Sequence, residues 1–202
     1  MGMEADRSRT ALDAGLVRKS ARDRIFDTAR ELFYERGIRA VGVETIAAEA
    51  GATKMTLYRN FPSKDELVAE CLREQSRDGL AWWDEVIAPY AGDPRKQLVA
   101  LFEGFANKTC EETHGCALSN AALELHEPDH PARMVAVEHK REMHRRLKEM
   151  AAAAGAKDSG LADALMMLLE GGHVARVTLQ ESGPVRSLAT TARALIGAFL
   201  DG

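Results

Sequence analysis

Apolar residues recur along this chain at the three- and four-residue spacing of helices that bury one face. Ile25, Ala29 and Leu32 form the first such face. Ser20, with an acidic residue three positions later, matches a capping box, and Gly37 follows the last apolar position where a helix commonly ends. The pattern therefore predicts a first helix over residues 20–36.

Gly, Pro and capping residues separate further helical patterns up to the end of the chain. No alternating run of β-branched residues predicts a strand. We expect an all-α fold of about nine helices, preceded by a loose arm over residues 1–17. The predicted helices cover residues 20–36, 43–50, 54–60, 64–87, 94–112, 117–126, 131–154, 159–181 and 184–200.

Residues 42–64 contain two short helices joined by a turn at Gly51. Helices of this length are not stable alone, so they must pack on the first helix. Ile46, Ala47 and Leu57 supply a small shared core. The arrangement is that of a helix-turn-helix, whose second helix can enter the major groove of DNA.

The second of these helices carries polar residues on its outer positions. Asn60 can pair with adenine and Arg59 with guanine. Thr53, Tyr58 and Lys64 suit phosphate oxygens. Lys54 and Thr56 complete the candidate DNA-binding surface. The alternative is an ordinary solvated helix face, but the spacing of the two helices around Gly51 favours DNA.

The net charge of −4 at first argues against nucleic acid, yet its distribution is uneven. Residues 1–64 hold 12 Lys+Arg and 9 Asp+Glu, whereas residues 65–202 hold 15 and 22. We therefore expect a DNA-binding domain at 1–64 and a second helical domain at 65–202. Three cysteines, without an apolar leader or a membrane-length apolar run, predict a cytoplasmic protein that does not enter a membrane.

From Ile46 to Leu67 the sequence IAAEAGATKMTLYRNFPSKDEL resembles the DNA-binding signature of the tetracycline-repressor (TetR) family. The shared features are the Ile-Ala pair, Ala-Gly at the turn, Thr-Leu-Tyr and Phe-Pro-x-Lys. Including the first helix, the resemblance covers about 50 residues. Two positions depart from it, since Gly42 replaces a common capping Thr and Glu44 stands where some members have a basic or polar residue.

The resemblance implies a homodimeric repressor that binds a palindromic double-stranded DNA operator and is released by a small-molecule effector. It adds Met55 to the DNA-binding residues. It also implies that the last two helices, about 159–200, form the dimer interface, and that the helices between enclose a ligand pocket. No cofactor or metal is implied.

Aromatic, Met and polar residues of the second domain are candidates for lining that pocket, although such residues are more often plain core. They suit a largely hydrophobic ligand oriented by a few polar groups. The candidates are Trp82, Phe102, Phe105, Asn120, Leu123, Glu124, Met143, Met166, Glu170 and His173.

Two alternatives to a ligand-released repressor stay open. Cys110 and Cys116 could make a thiol-sensing regulator, although their spacing fits no standard zinc site. The chain could also be a helical binding or catalytic module whose DNA-binding head is vestigial. No phosphate-binding loop, metalloprotease motif or nucleophile elbow supports catalysis, so we expect a protein that is not an enzyme.

Overall fold

The computed structural model describes residues 19–111, 113–180 and 183–202; the predicted arm at 1–17 lies outside them. These ranges form ten α-helices and one 3-10 turn at Ala88–Tyr90, which confirms the all-α prediction. The helices are α1 Ala21–Arg36, α2 Val43–Glu49, α3 Lys54–Asn60, α4 Lys64–Ile87, α5 Pro94–Glu111, α6 Ala117–Glu124, α7 Pro131–Ala153, α8 Gly160–Leu179, α9 Gly183–Arg186 and α10 Leu188–Asp201.

The described residues hold one more α-helix than predicted, because the segment expected at 184–200 is divided at Ser187. The Ser187 N–H donates to Pro184 O at 3.0 Å, a three-residue bond that tightens the chain before α10. The break directs Leu188 into the core, where it is buried.

Local capping explains where several helices begin. Ser20 and Asp23 form the predicted capping box at α1. Ser63 accepts from the Glu66 N–H at 3.0 Å at the start of α4, and Asp93 accepts from the Lys96 N–H at 3.0 Å before α5. These starts follow from the sequence because the cap and its donor lie within one turn.

The buried apolar residues form two cores joined by α4. The first core lies among α1, α2, α3 and the beginning of α4, and it also takes Leu118 and Ala121 of α6 and Ala136 of α7. The second lies among the end of α4, α5, α7, α8 and α10, around Trp83 and Phe102. The helix-turn-helix therefore shares one core with α6 and α7. It packs on α1, and α1 packs on α4, which in turn contacts α6 and α7.

Candidate nucleic-acid interface

The turn between α2 and α3 is a tight helix C-terminus built around Gly51. Its φ of +61° lies in the left-handed region, which glycine adopts without a Cβ penalty. The Ala52 N–H donates to Ala47 O at 2.9 Å, and the Gly51 N–H donates to Ala48 O at 3.1 Å. This pair of bonds is a Schellman motif, and it fixes the angle at which α3 leaves α2.

Arg24 of α1 holds this turn from outside, a role that the sequence pattern did not indicate. Its guanidinium donates to Ala50 O at 3.1 Å and to Gly51 O at 3.3 Å. The two carbonyls lie at the end of α2, where backbone acceptors lack helical partners. A basic residue on α1, one turn after the Ser20 cap, is the only sequence signal for this contact.

Helix α3 buries Leu57 against the first core and exposes the residues on its other side. Met55 is 72% exposed and Tyr58 is 44% exposed. Lys54 and Arg59 are exposed as well. The predicted recognition residues therefore share a surface that one groove of DNA could meet, and a single helix supplies it.

Four of the predicted DNA-binding residues already have partners, since the Thr56 hydroxyl lies 2.9 Å from that of Thr53. Lys54 forms an ion pair with Glu44, which raises the pKa of the lysine and lowers that of the carboxyl through their hydrogen bond. Asn60 donates to Thr56 O at 2.8 Å, so one amide hydrogen is engaged within α3. Thr53 accepts from the Thr56 N–H at 3.1 Å as the cap of α3.

Arg59 and Lys64 have no ion pair among the described residues, and they lie at the end of α3 and the first position of α4. They are the cationic groups of this surface that DNA phosphates or bases can reach without displacing a carboxylate. Glu44, in contrast, pairs with Lys54 and neutralises its charge.

The predicted pocket residues divide among five places. Trp82, Phe105, Met143 and His173 line an inner cavity of about 90 Å³ between α4, α5, α7 and α8. Asn120 and Glu124 line a separate outer cavity. Phe102 is fully buried and Met166 half-buried in the second core. Leu123 is 70% exposed on α6, and Glu170 binds Ser119 and Lys140, so neither residue lines the inner or the outer cavity.

The outer cavity has a volume of about 650 Å³ and lies between α1, α4 and α6. Each helix presents one face to it, for example Tyr34 of α1, Leu72 of α4 and Ala121 of α6. This volume falls within the range of small-molecule sites, whereas the inner cavity has room for about three waters.

Glu124 closes one end of the outer cavity by binding the backbone after α1. Its carboxylate accepts from the Ile38 N–H at 3.0 Å and from the Arg39 N–H at 2.6 Å. The adjacent Arg39 side chain also pairs with Glu127 at 3.4 Å. We call the contact of Glu124 with these two N–H groups the α6 clasp; it joins α6 to the loop that leads into α2.

A half-buried polar cluster connects α6, α7 and α8. Lys140 donates to Glu170 at 2.6 Å and to the Cys116 sulfur at 3.5 Å, and Ser119 donates to Glu170 at 2.8 Å. Burial acts to lower the pKa of Lys140, but Cys116 and Glu170 outweigh it and raise that pKa. Burial likewise opposes the ionised form of Glu170, and Lys140 outweighs it, so the pKa of Glu170 is lowered.

The three cysteines are reduced and do not gather a metal site. Cys71 is buried, which raises the pKa of its thiol to about 12, whereas Cys110 and Cys116 are partly exposed. Across the described ranges, no three His, Cys, Asp or Glu side chains are grouped for metal binding. Within the same ranges, no helix is both long and apolar enough to cross a membrane.

The outer side of α8 exposes apolar residues that the second core does not cover. Met167 is 69% exposed and Val174 is 54% exposed, and Gly171 lies between them at helical spacing. Leu165 and Leu169 of the same helix are fully buried in the second core. The exposed stripe is therefore offset from the most strongly apolar positions of the helix.

Residues 25–71 match the model of the family described as bacterial regulatory proteins, tetR family. The chain is 36% identical to the HTH-type transcriptional repressor KstR2 of Mycolicibacterium smegmatis over 41% of its own length and 40% of that protein. It is 44% identical to KstR2 of Mycobacterium tuberculosis H37Rv over 44% of each chain. The matched region thus spans about two-fifths of the length of these curated relatives.

Similarity of fold extends much further along the chain. A solved TetR-family transcriptional regulator of Streptomyces coelicolor aligns with a TM-score of 0.77 and 28% identity. That alignment covers 90% of this chain and 94% of the other. The helix-turn-helix and the helices that follow it are therefore arranged as in that regulator.

Proposed function

The chain belongs to the TetR family of bacterial regulatory proteins, and on that premise we propose that it is a dimeric transcriptional repressor acting in the cytoplasm. In this proposal residues 1–64 bind a palindromic operator. Residues 65–202 dimerise and, together with α1, bind a small, mainly hydrophobic ligand that releases the DNA. The observation that carries it is the exposed polar face of α3 on a rigid helix-turn-helix. The relatives named above are regulators, and the protein is not an enzyme.

The division of labour on α3 follows from side-chain chemistry. Arg59 is exposed and can present its planar guanidinium to guanine. Lys64 and Tyr58 carry groups suited to phosphate oxygens, which fix the register on DNA without reading its sequence. Asn60 keeps its amide oxygen and one N–H for a base, since its other hydrogen binds Thr56 O.

Operator binding tests this assignment with two kinds of substitution. Lys64→Ala should weaken binding to all sequences alike and lower the salt dependence by about one phosphate contact. Arg59→Ala should cost about 1–3 kcal/mol and relax the preference at one base pair. Arg77→Ala, which removes an exposed charge from α4 outside the helix-turn-helix, is the matched control and should leave binding unchanged.

Two outcomes contradict the proposal. Affinity that stays flat between about 50 and 200 mM salt would exclude phosphate contact as the mechanism. A uniform loss for both Lys64→Ala and Arg59→Ala, without any change of base preference, would remove the division of labour between them.

The exposed stripe on α8 supports dimerisation. Met167, Gly171 and Val174 lie at i, i+4 and i+7, and a glycine in the middle permits close approach of a second helix. A two-fold dimer through α8 and α10 would present two copies of α3 to one face of DNA, with half-sites about one helical turn apart.

Sedimentation measurements test this interface directly. Val174→Asp should shift the protein from dimer to monomer and weaken operator binding together. Leu123→Asp places the same charge on an exposed apolar position of α6 and should leave the dimer intact. A Val174→Asp variant that remains a dimer at low micromolar concentration would refute the α8 interface.

Effector control is supported by the size and the position of the outer cavity. The outer cavity is large enough for a small organic ligand and borders α1 of the DNA-binding head. A coupling of about 1–3 kcal/mol suffices to change operator affinity about 5–150-fold. A compound library screened by thermal shift, with every hit then tested on operator binding, decides the matter. Hits that stabilise the protein yet never alter operator affinity would refute effector control.

A further inference from the structure

The outer cavity carries an imbalance of charge that selects among hydrophobic ligands. Its described lining includes four carboxylates and two permanently cationic side chains. Both cations are engaged: Arg30 pairs with Glu74 at 3.2 Å, and the Lys108 ammonium lies 4.7 Å from the centre of the Trp82 ring. Glu74 therefore neutralises Arg30, whereas Lys108 contacts a neutral ring and keeps its positive charge.

Most of the carboxylates, in contrast, have no partner among the described residues. Glu124 is held by backbone N–H groups in the α6 clasp. Glu31, Glu35 and Asp78, however, make no hydrogen bond or ion pair with the described residues, and all three are exposed at the rim. A positively charged ligand would meet three carboxylates without partners in the described ranges, against the single remaining charge of Lys108, so the lining is net attractive to a cation.

The floor beneath this rim is apolar and aromatic. Phe33, Val68 and Leu72 are buried there, and the half-buried ring of Tyr34 lies alongside. Tyr34 packs edge-on against His114 with ring centres 5.2 Å apart, which fixes its orientation. An aromatic face near a carboxylate rim attracts organic cations, whose weakly hydrated charge is easily brought to such a surface.

We propose that the outer cavity between α1, α4 and α6 is the effector site and that it takes a lipophilic organic cation. This rests on the proposed function for its regulatory consequence, but the binding itself does not depend on DNA. An occupant between α1 and α6 would bear on the α6 clasp, the contact that ties α6 to the loop entering α2. Operator affinity would change because the DNA-binding domain would shift relative to α6.

The test uses two rigid probes of nearly the same shape and opposite charge, tetraphenylphosphonium and tetraphenylborate, in sodium buffer. Isothermal calorimetry on the full chain should show tetraphenylphosphonium binding at least about tenfold more tightly than tetraphenylborate. The phosphonium should also weaken operator binding in a mobility-shift assay, about 5–150-fold. Equal or tighter binding of the borate would overturn the cationic class.

Substitutions locate the probe. Glu31→Gln, Glu35→Gln and Asp78→Asn should each weaken phosphonium binding about two- to fivefold, as exposed charge pairs do. Glu85→Gln removes an exposed α4 carboxylate that lies outside the cavity and should change nothing. Since all four positions are exposed, these variants are expected to fold.

A bulky side chain provides an independent test. Ala117→Phe fills part of the cavity from α6 and should abolish phosphonium binding. Binding that survives Ala117→Phe, or that ignores the three carboxylate variants, would place the probe elsewhere and overturn the site.

The remaining outcomes separate this inference from the proposed function. If the phosphonium does not bind, the site is refuted, while operator release by another compound would leave the repressor proposal standing. If the phosphonium binds as expected but no operator is bound, the repressor proposal fails and the cation site remains. Specific binding without any effect on operator affinity would refute the effector role.

Discussion

Removal of the α6 clasp should weaken the attachment of the DNA-binding domain to α6. Glu124→Ala leaves the N–H groups of Ile38 and Arg39 without their acceptor. A hydrogen bond to a charged group contributes about 1.5–3 kcal/mol when it is well shielded. Ile38 is buried, but Arg39 is exposed and Glu124 is half-buried, so water can replace part of the loss. We expect a destabilisation of about 2–3 kcal/mol.

Thermal and urea unfolding at one fixed protein concentration measure this change, since a dimer's stability depends on concentration. For a chain of this length, about 2–3 kcal/mol corresponds to a fall in Tm of roughly 4–12 °C. Glu124→Gln keeps one neutral acceptor and should fall between the wild type and Glu124→Ala. Amide hydrogen exchange should quicken locally at Ile38 and Arg39.

Glu127→Gln is the matched control for the clasp. It removes a carboxylate three residues away that pairs with Arg39 at 3.4 Å on the surface, and it should cost less than about 0.5 kcal/mol. If Glu124→Ala costs no more than this control, or if the two amides keep their protection, the clasp does not hold the head.

Three further predictions concern other parts of the fold. Gly115→Ala should destabilise the protein by about 1–3 kcal/mol, measured by urea unfolding, because φ is +75° and the added Cβ would lie 2.9 Å from Val177. Burial lowers the pKa of His139 to about 4, below its ordinary 6.5. Because the unfolded state takes up the proton first, the free energy of unfolding should fall as the pH drops from about 6.5 to 4. His139→Gln should flatten that part of the profile of stability against pH. Mild peroxide should leave operator affinity unchanged, and a release of DNA that disappears in Cys110→Ser or Cys116→Ser would instead favour the thiol-sensing alternative.

Helix caps and turns that depend on residues close together in the sequence were predictable from it. The Ser20 capping box, the cap at Ser63 and the turn at Gly51 each depend on residues within a few positions of one another. Their hydrogen bonds form in any context that allows the helix, so local pattern suffices. The same reasoning placed α3 correctly as the exposed second helix of a helix-turn-helix.

Residues that act across the fold could not be assigned in this way. Glu124 was a candidate for orienting a ligand, yet its carboxylate binds the backbone after α1, 85 residues or more away in the chain. The position of Arg24 one turn after the Ser20 cap did not specify that it contacts the α2 turn. In both cases the partner is a backbone group, which leaves no residue type in the sequence to mark it.

The sequence by itself determined the all-α architecture, the helix starts and the exposed face of α3, because helical periodicity and caps are local properties. The tertiary structure decided which side of each amphipathic helix meets which neighbour. On α8, Leu165 and Leu169 enter the monomer core while Met167 and Val174 remain outside. Periodicity marks an apolar face, but only packing against α7 and α10 determines what that face touches, and only the joint placement of α1, α4 and α6 creates a cavity of about 650 Å³.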